Sequence, residues 1–123
     1  MAERAPAESF EDLIVWQKSH QLVLRVYKIT AGYPKSELYA LALQMRRAAV
    51  SVPANIAEGF KKRGRPDKAR VINNIAQGSL EELRYYFLLS RDLGYVKDIE
   101  REAIDEIARL LGAYIRSVLS SAS

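Results

Sequence analysis

The side chains that most often carry out chemistry in small helical proteins are scarce in this sequence. Its 123 residues include one histidine, His20, and no cysteine. The sequence therefore lacks the histidine and cysteine ligands that a zinc site of this kind requires. The Glu-x-x-His pairs of di-iron bundles are absent too, because Gln17 stands three residues before His20. The sequence predicts no catalytic residue, metal site or cofactor, and we interpret the protein as a non-enzyme.

One group of charged side chains is dense enough to predict a ligand. Residues 61–70 carry six cations against a single acid, Asp67. These cations, hereafter the basic cluster, are Lys61, Lys62, Arg63, Arg65, Lys68 and Arg70. They span a predicted loop and helix start, where free backbone amides add to the attraction for phosphate. We predict nucleic-acid binding here, supported by Arg46 and Arg47; a merely solvated turn is the alternative.

Charge is also distributed unevenly along the chain. Between Arg25 and Arg70 there are eleven basic and three acidic residues, a balance of +8, so the rest of the chain carries −4 of the net +4. This separation favours one basic and one acidic face, although two ordinary solvated faces would give the same count.

Two polar stripes at helical spacing form a further candidate surface. Each has uncharged groups in its middle and charged groups towards its ends, which favours a hydrogen-bonding surface for another subunit over plain solvated helix. The residues predicted for this interface are Arg47, Ser51, Asn55, Glu58, Asn74, Gln77 and Glu81.

Four amphipathic helices are predicted to position these groups. Apolar residues recur at spacings of three and four, and the short connections force consecutive helices to run antiparallel. The fold class is therefore all-α, an up-and-down antiparallel four-helix bundle. The helices are predicted from about 11 to 31, from after Ser36 to Gly59, from Pro66 to Gly94, and from near Asp98 to the serine-rich tail.

Three residues within these helices carry specific expectations. Pro53 lacks an amide hydrogen, so helix two is expected to kink or to break there. Gly78 disfavours a helix interior, so we expect a neighbouring backbone, with small alanines of helix two, to approach it closely. His20 falls on the apolar stripe of helix one and is expected to be packed or partly buried.

The chain organisation is expected to be simple. We predict a flexible segment at 1–9, the bundle at 10–120 and a frayed tail at 121–123. The apolar runs are far shorter than the roughly 20 residues of a membrane span, and the N-terminus has no apolar signal region. We interpret the protein as cytoplasmic, with no membrane partner.

Three motifs, in order and at matching separations, resemble one known family. They are FEDLIVWQK at 10–18, QMRRAAVSVPANIAEG at 44–59 and AQGSLEEL at 76–83. The chain closely resembles the bacterial proteins encoded in intervening sequences of 23S ribosomal RNA genes, over about residues 10–119. That resemblance implies a four-helix bundle assembled as a homopentamer, without established catalytic activity. The family is also similar to the accessory variability protein of diversity-generating retroelements, a basic pentamer that binds nucleic acid.

Together these features predict a non-enzymatic, oligomeric nucleic-acid-binding protein, with structured RNA favoured over DNA. Phe60 is the one aromatic residue beside the basic cluster, so binding should follow shape and charge more than sequence. The alternative is a protein–protein scaffold or adaptor bundle with no nucleic-acid ligand. A steep loss of binding with added salt would distinguish the first reading from the second.

Overall fold

Apolar side chains recurring every three or four residues produce four α-helices, and their buried faces build one core. The computed structural model describes residues 6–120, which contain no strand. Two short 3₁₀ turns, Phe10–Asp12 and Lys35–Glu37, precede the first and second helices. The helices are α1 (Ile14–Thr30), α2 (Leu41–Lys61), α3 (Pro66–Asp92) and α4 (Arg101–Ser120).

The helices pack in chain order around a shared core. α2 contacts both α1 and α3, α3 contacts α4, and α4 closes the arrangement against α1. Met45, Ile56, Leu83, Phe87 and Ile107 are almost completely buried where the helices meet. The predicted all-helical four-helix bundle is therefore confirmed, and its stability rests on this apolar burial.

α2 is a single helix with Pro53 inside it. It runs without interruption from Leu41 to Lys61, so the expected break into two helices does not occur, and the kink is not confirmed. Pro53 is itself buried. Gly59 was expected to end the helix, but α2 continues past it and is capped at Lys62, whose amide bonds back to Glu58 and Gly59.

The starts of α2 and α4 differ from the sequence prediction. Ser36 lies within a 3₁₀ turn, and α2 begins five residues later without a side-chain cap. Asp98 precedes α4, and its carboxylate accepts the Glu100 amide at 2.8 Å. Glu100 has a positive φ of 55° and a buried side chain that pairs with Arg25 of α1. This pair ties the start of α4 to α1, a long-range contact that local sequence does not report.

The close approach expected at Gly78 occurs at Gly59 instead. Apart from the neighbouring backbone of α3 itself, no atom lies within 4 Å of a Cβ built on Gly78. This position of α3 is exposed, and no other described helix approaches it closely. A Cβ on Gly59 would lie 2.9 Å from both amide atoms of Asn73 on α3. Asn73 is only 1% exposed, and neither amide atom has a hydrogen-bond partner among the described residues. Gly59 thus allows α2 to pack against a buried amide of α3.

The terminal predictions fall mostly outside the described residues. Residues 1–5 of the expected flexible segment and the whole predicted tail at 121–123 are not described. None of the described helices combines the length and the apolar character that a bilayer span requires. Within residues 6–120, no three histidine or carboxylate side chains are grouped so as to hold a metal ion.

Candidate nucleic-acid interface

The turn between α2 and α3 positions the basic cluster. α2 ends at Lys61 and α3 begins at Pro66, whose fixed φ and missing amide hydrogen suit the first helical position. Within the turn, the Arg65 amide donates to the Lys62 carbonyl oxygen at 2.8 Å. This tight reversal brings the end of one helix beside the start of the next. It therefore gathers the cluster's cations at one end of the bundle.

Arg63 differs from the rest of the basic cluster because it packs onto the protein. Its guanidinium carbon lies 3.9 Å from the centre of the Phe60 ring, and Nη1 donates to the Phe60 carbonyl oxygen at 2.9 Å. Burial raises the pKa of the nearby Tyr114 phenol, and the positive charge of Arg63 partly opposes that rise. Arg63 therefore covers a buried aromatic ring and fixes the turn as well as adding charge.

Among residues 6–120, the other cations of the basic cluster have no carboxylate partner. Among the described residues, the five ion pairs involve Lys18, Arg25, Arg84 and Arg91, with Arg84 bridging Glu81 and Asp105. None involves the basic cluster, whose members are exposed except for the half-buried Lys62. Their positive charge is therefore available to an external anion.

Arg46 and Arg47 do not join the basic cluster. Lys61 follows Arg47 by fourteen positions of α2, which corresponds to about 21 Å along the helix axis. Arg46 instead contacts α1: its Nε donates to Thr30 Oγ1 at 2.8 Å, and its guanidinium carbon lies 4.7 Å from the centre of the Tyr27 ring. Arg46 and Arg47 thus lie well away from the α2–α3 turn that carries the basic cluster.

Part of the predicted interface is used within the chain. Ser51 Oγ and Ser79 Oγ are 2.7 Å apart, which links α2 to α3. Asn55 Nδ2 donates to the Ser51 carbonyl oxygen at 2.7 Å and to Ser51 Oγ at 3.0 Å. Glu81 binds Arg84 on its own helix at 3.0 Å. The exposed members of the predicted interface are Arg47, Glu58, Asn74 and Glu81, and Gln77 is half-buried.

Sequence reasoning missed an apolar surface groove between α1 and α2. Phe10, Trp16 and Val50 are among its lining residues, and Trp16 stacks on His20 with ring centres 5.1 Å apart. His20 is exposed rather than partly buried, but its ring is packed on Trp16, as the first form of the expectation required: it lies at the edge of the helix stripe rather than in the core. The spacing of three and four between apolar residues identified the stripe on α1. It did not distinguish the buried centre of the stripe from its exposed edge.

Exposed apolar residues on α3 were also missed. Val71 and Ile75 are 58% and 51% exposed, one helical turn apart. The sequence does contain a signal for this surface, because Val71 and Ile75 are apolar residues outside the core-facing stripe of α3. Only the packed structure shows that no other part of the described chain covers them.

Comparison with known proteins gives one match. A family model described as "23S rRNA-intervening sequence protein" matches residues 11–117, most of the chain and all but three residues of the bundle's four helices. No curated protein matches the chain.

Proposed function

The chain belongs to the 23S rRNA-intervening sequence protein family, and we propose that it is a non-enzymatic, oligomeric nucleic-acid-binding protein whose ligand is structured RNA. The observation that supports this proposal is the basic cluster at the α2–α3 turn. Its cations are concentrated at one end of the bundle and lack carboxylate partners among the described residues. Phosphates can therefore bind them without displacing an internal ion pair.

The cluster favours contact with phosphates over contact with bases. The lysines Lys61 and Lys68 supply ammonium groups on flexible stems, and Arg65 supplies a planar guanidinium whose N–H groups can bind two phosphate oxygens. The nearest aromatic ring, Phe60, is 8% exposed and lies beneath Arg63, so it offers no free face for a base. Binding through this surface should depend on charge and backbone shape, with little sequence preference.

Charge replacement within the cluster tests the proposal. Replacing Lys61, Lys62, Arg65 and Lys68 by Ala removes four cations and leaves the packed Arg63 in place. The wild-type protein should retain duplex DNA and structured RNA at about 50 mM salt. The variant should bind every sequence more weakly, and its log–log salt slope should be shallower by roughly one unit per lost phosphate contact.

A matched variant controls for net charge. Lys97, Arg101, Arg109 and Arg116 are exposed cations without ion pairs among the described residues, and they are dispersed over α4 and the segment before it. Replacing them by Ala removes the same charge but should leave binding close to wild type. Equal weakening by both variants would refute a localised site. Absence of nucleic-acid binding by the wild-type protein at low salt would refute the proposed function.

The oligomeric part of the proposal is a homopentamer in which the polar stripes of α2 and α3 meet across subunits. On α3, Asn74, Gln77 and Glu81 extend along the helix, and the exposed Val71 and Ile75 lie on neighbouring positions. Burying these two aliphatic side chains against another copy would remove them from water, which favours association. Several copies of the basic cluster in one assembly would then strengthen binding through multivalency.

A protein scaffold is the second candidate function, and the α1–α2 groove favours it. Apolar side chains such as Phe10, Val23 and Val50 line this groove, which suits an amphipathic helix better than a phosphate. Binding of that kind should change little with salt, whereas phosphate binding should weaken steeply.

A further inference from the structure

The Arg46 side chain forms a cation–π pair with an exposed tyrosine, Tyr27. Its guanidinium carbon lies 4.7 Å from the centre of the Tyr27 ring, within the range of a cation–π contact. A hydrogen bond from Nε to Thr30 Oγ1, 2.8 Å long, fixes the guanidinium in this position. Tyr27 is nevertheless 46% exposed, so much of its ring remains in contact with solvent. The pair therefore presents preoriented flat groups at the surface.

Within the described part of the chain, neither Arg46 nor Arg47 has an anionic partner. Arg46 is half-buried and Arg47 is exposed, and no carboxylate among the described residues forms an ion pair with either. Partial burial of a guanidinium without a counterion is unfavourable, and an external anion would relieve it. The protein thus combines an exposed ring, a guanidinium held over that ring and, at the next position of α2, a second and exposed arginine.

We propose that Tyr27, Arg46 and Arg47 form a second nucleic-acid site, separate from the basic cluster, that takes an unpaired nucleotide. The base stacks on the solvent-exposed part of the Tyr27 ring, beside Arg46, and the two arginines bind the adjacent phosphates. Unpaired bases stack on aromatic rings and guanidinium planes in this way, whereas the bases of a duplex are already stacked on each other. This inference rests on the proposed function and assigns its ligand class: RNA that combines structured and single-stranded parts.

The geometry of α2 relates the second site to the basic cluster. Arg47 and Lys61 are both exposed, and fourteen residues place them about 40° apart around the helix axis and about 21 Å apart along it. A stacked strand rising about 3.4 Å per nucleotide covers this distance in about six steps. A strand that stays stacked can therefore reach both sites only when it has about seven or more nucleotides.

The test compares a single strand with a duplex at about 50 mM salt. Fluorescence anisotropy is measured with a labelled RNA of about 12 nucleotides that cannot pair with itself, and with the same sequence as a blunt duplex. Tyr27→Ala should weaken binding of the single strand by about fivefold or more and leave duplex binding unchanged. Tyr27→Phe keeps the ring and should bind as wild type. Leu24→Ala, at a 57% exposed position on the same helix, is the matched control and should also have no effect.

A second variant keeps the inference testable if Tyr27→Ala unfolds. Arg46→Lys keeps the charge but removes the planar group, so it should also weaken the single strand selectively. Shortening the single strand stepwise should lower its affinity for wild type once it can no longer span both sites. The inference would be overturned if neither Tyr27→Ala nor Arg46→Lys weakened single-strand binding, or if they weakened binding of the single strand and the duplex equally. A change in assembly mass without a change in RNA binding would instead make Tyr27 a protein contact, which also overturns it.

The outcomes separate this inference from the proposed function. If the cluster variant binds both probes more weakly while Tyr27→Ala and Arg46→Lys have no effect, the proposed function stands and the second site is wrong. If wild type binds neither probe, both proposals fall.

Discussion

Gly59→Ala tests whether the close packing of α2 on α3 depends on the missing side chain. The new Cβ would lie 2.9 Å from Asn73 Oδ1 and Nδ2 and 3.1 Å from its Cγ. The Asn73 side chain cannot easily swing away, because it is only 1% exposed between α3 and the residues packed against it. One of the two helices must therefore shift, and such overpacking typically costs about 1–3 kcal/mol.

Helix propensity acts in the opposite direction and must be separated from the clash. Alanine is favoured over glycine in a helix interior by about 1 kcal/mol. Gly78→Ala is the matched control, since nothing lies within 4 Å of its built Cβ, and it should stabilise the protein by about that amount. The difference between the two variants then isolates the steric term, expected at about 1–3 kcal/mol in the free energy of unfolding.

Urea unfolding followed by circular dichroism measures this difference at one protein concentration. A steric term near 2 kcal/mol should separate the two unfolding midpoints by about 1 M urea. Adding Asn73→Ala to Gly59→Ala should recover most of the lost stability, because it removes the atoms that clash. Equal stability of Gly59→Ala and Gly78→Ala, or no recovery in the double variant, would refute the reasoning. A destabilising Gly78→Ala would instead place Gly78 in a contact between copies of the chain.

Two further predictions concern alkaline stability and assembly. Burial raises the pKa of the Tyr114 phenol above its usual value of 10.0. The neutral phenol therefore contributes its full stabilisation below pH 10.0, and this stabilisation is lost as pH rises through the pKa of the folded state. Tyr114→Phe has no group to ionise, so its thermal stability should fall less above pH 10.0 than that of the wild type. Similar alkaline losses in both proteins would contradict this. Light scattering at tens of micromolar should show an oligomer, most simply the pentamer, and Asn55→Leu should alter its mass; a wild-type monomer would refute the assembly proposal.

The periodicity of apolar residues was sufficient to predict the helical bundle. Residues such as Met45, Ile56 and Leu83 recur on one side of their helices, and the same residues are buried in the structure. Pro66 marked the start of α3 correctly, because the chemistry of proline at a first helical turn is local. Ser36 failed as a marker of α2, because its propensity to cap was overridden by the 3₁₀ turn that joins α1 to α2.

The sequence alone therefore determined the helical fold, the family and the density of charge at 61–70, since all three depend on residue type and spacing along the chain. Tertiary structure decided which of those groups meet. It separated Arg46 and Arg47 from the basic cluster, placed Arg46 on Tyr27, and joined Ser51 to Ser79. It also assigned the close helix contact to Gly59 rather than Gly78. These outcomes depend on the relative positions and rotations of packed helices, which periodicity within one helix does not specify.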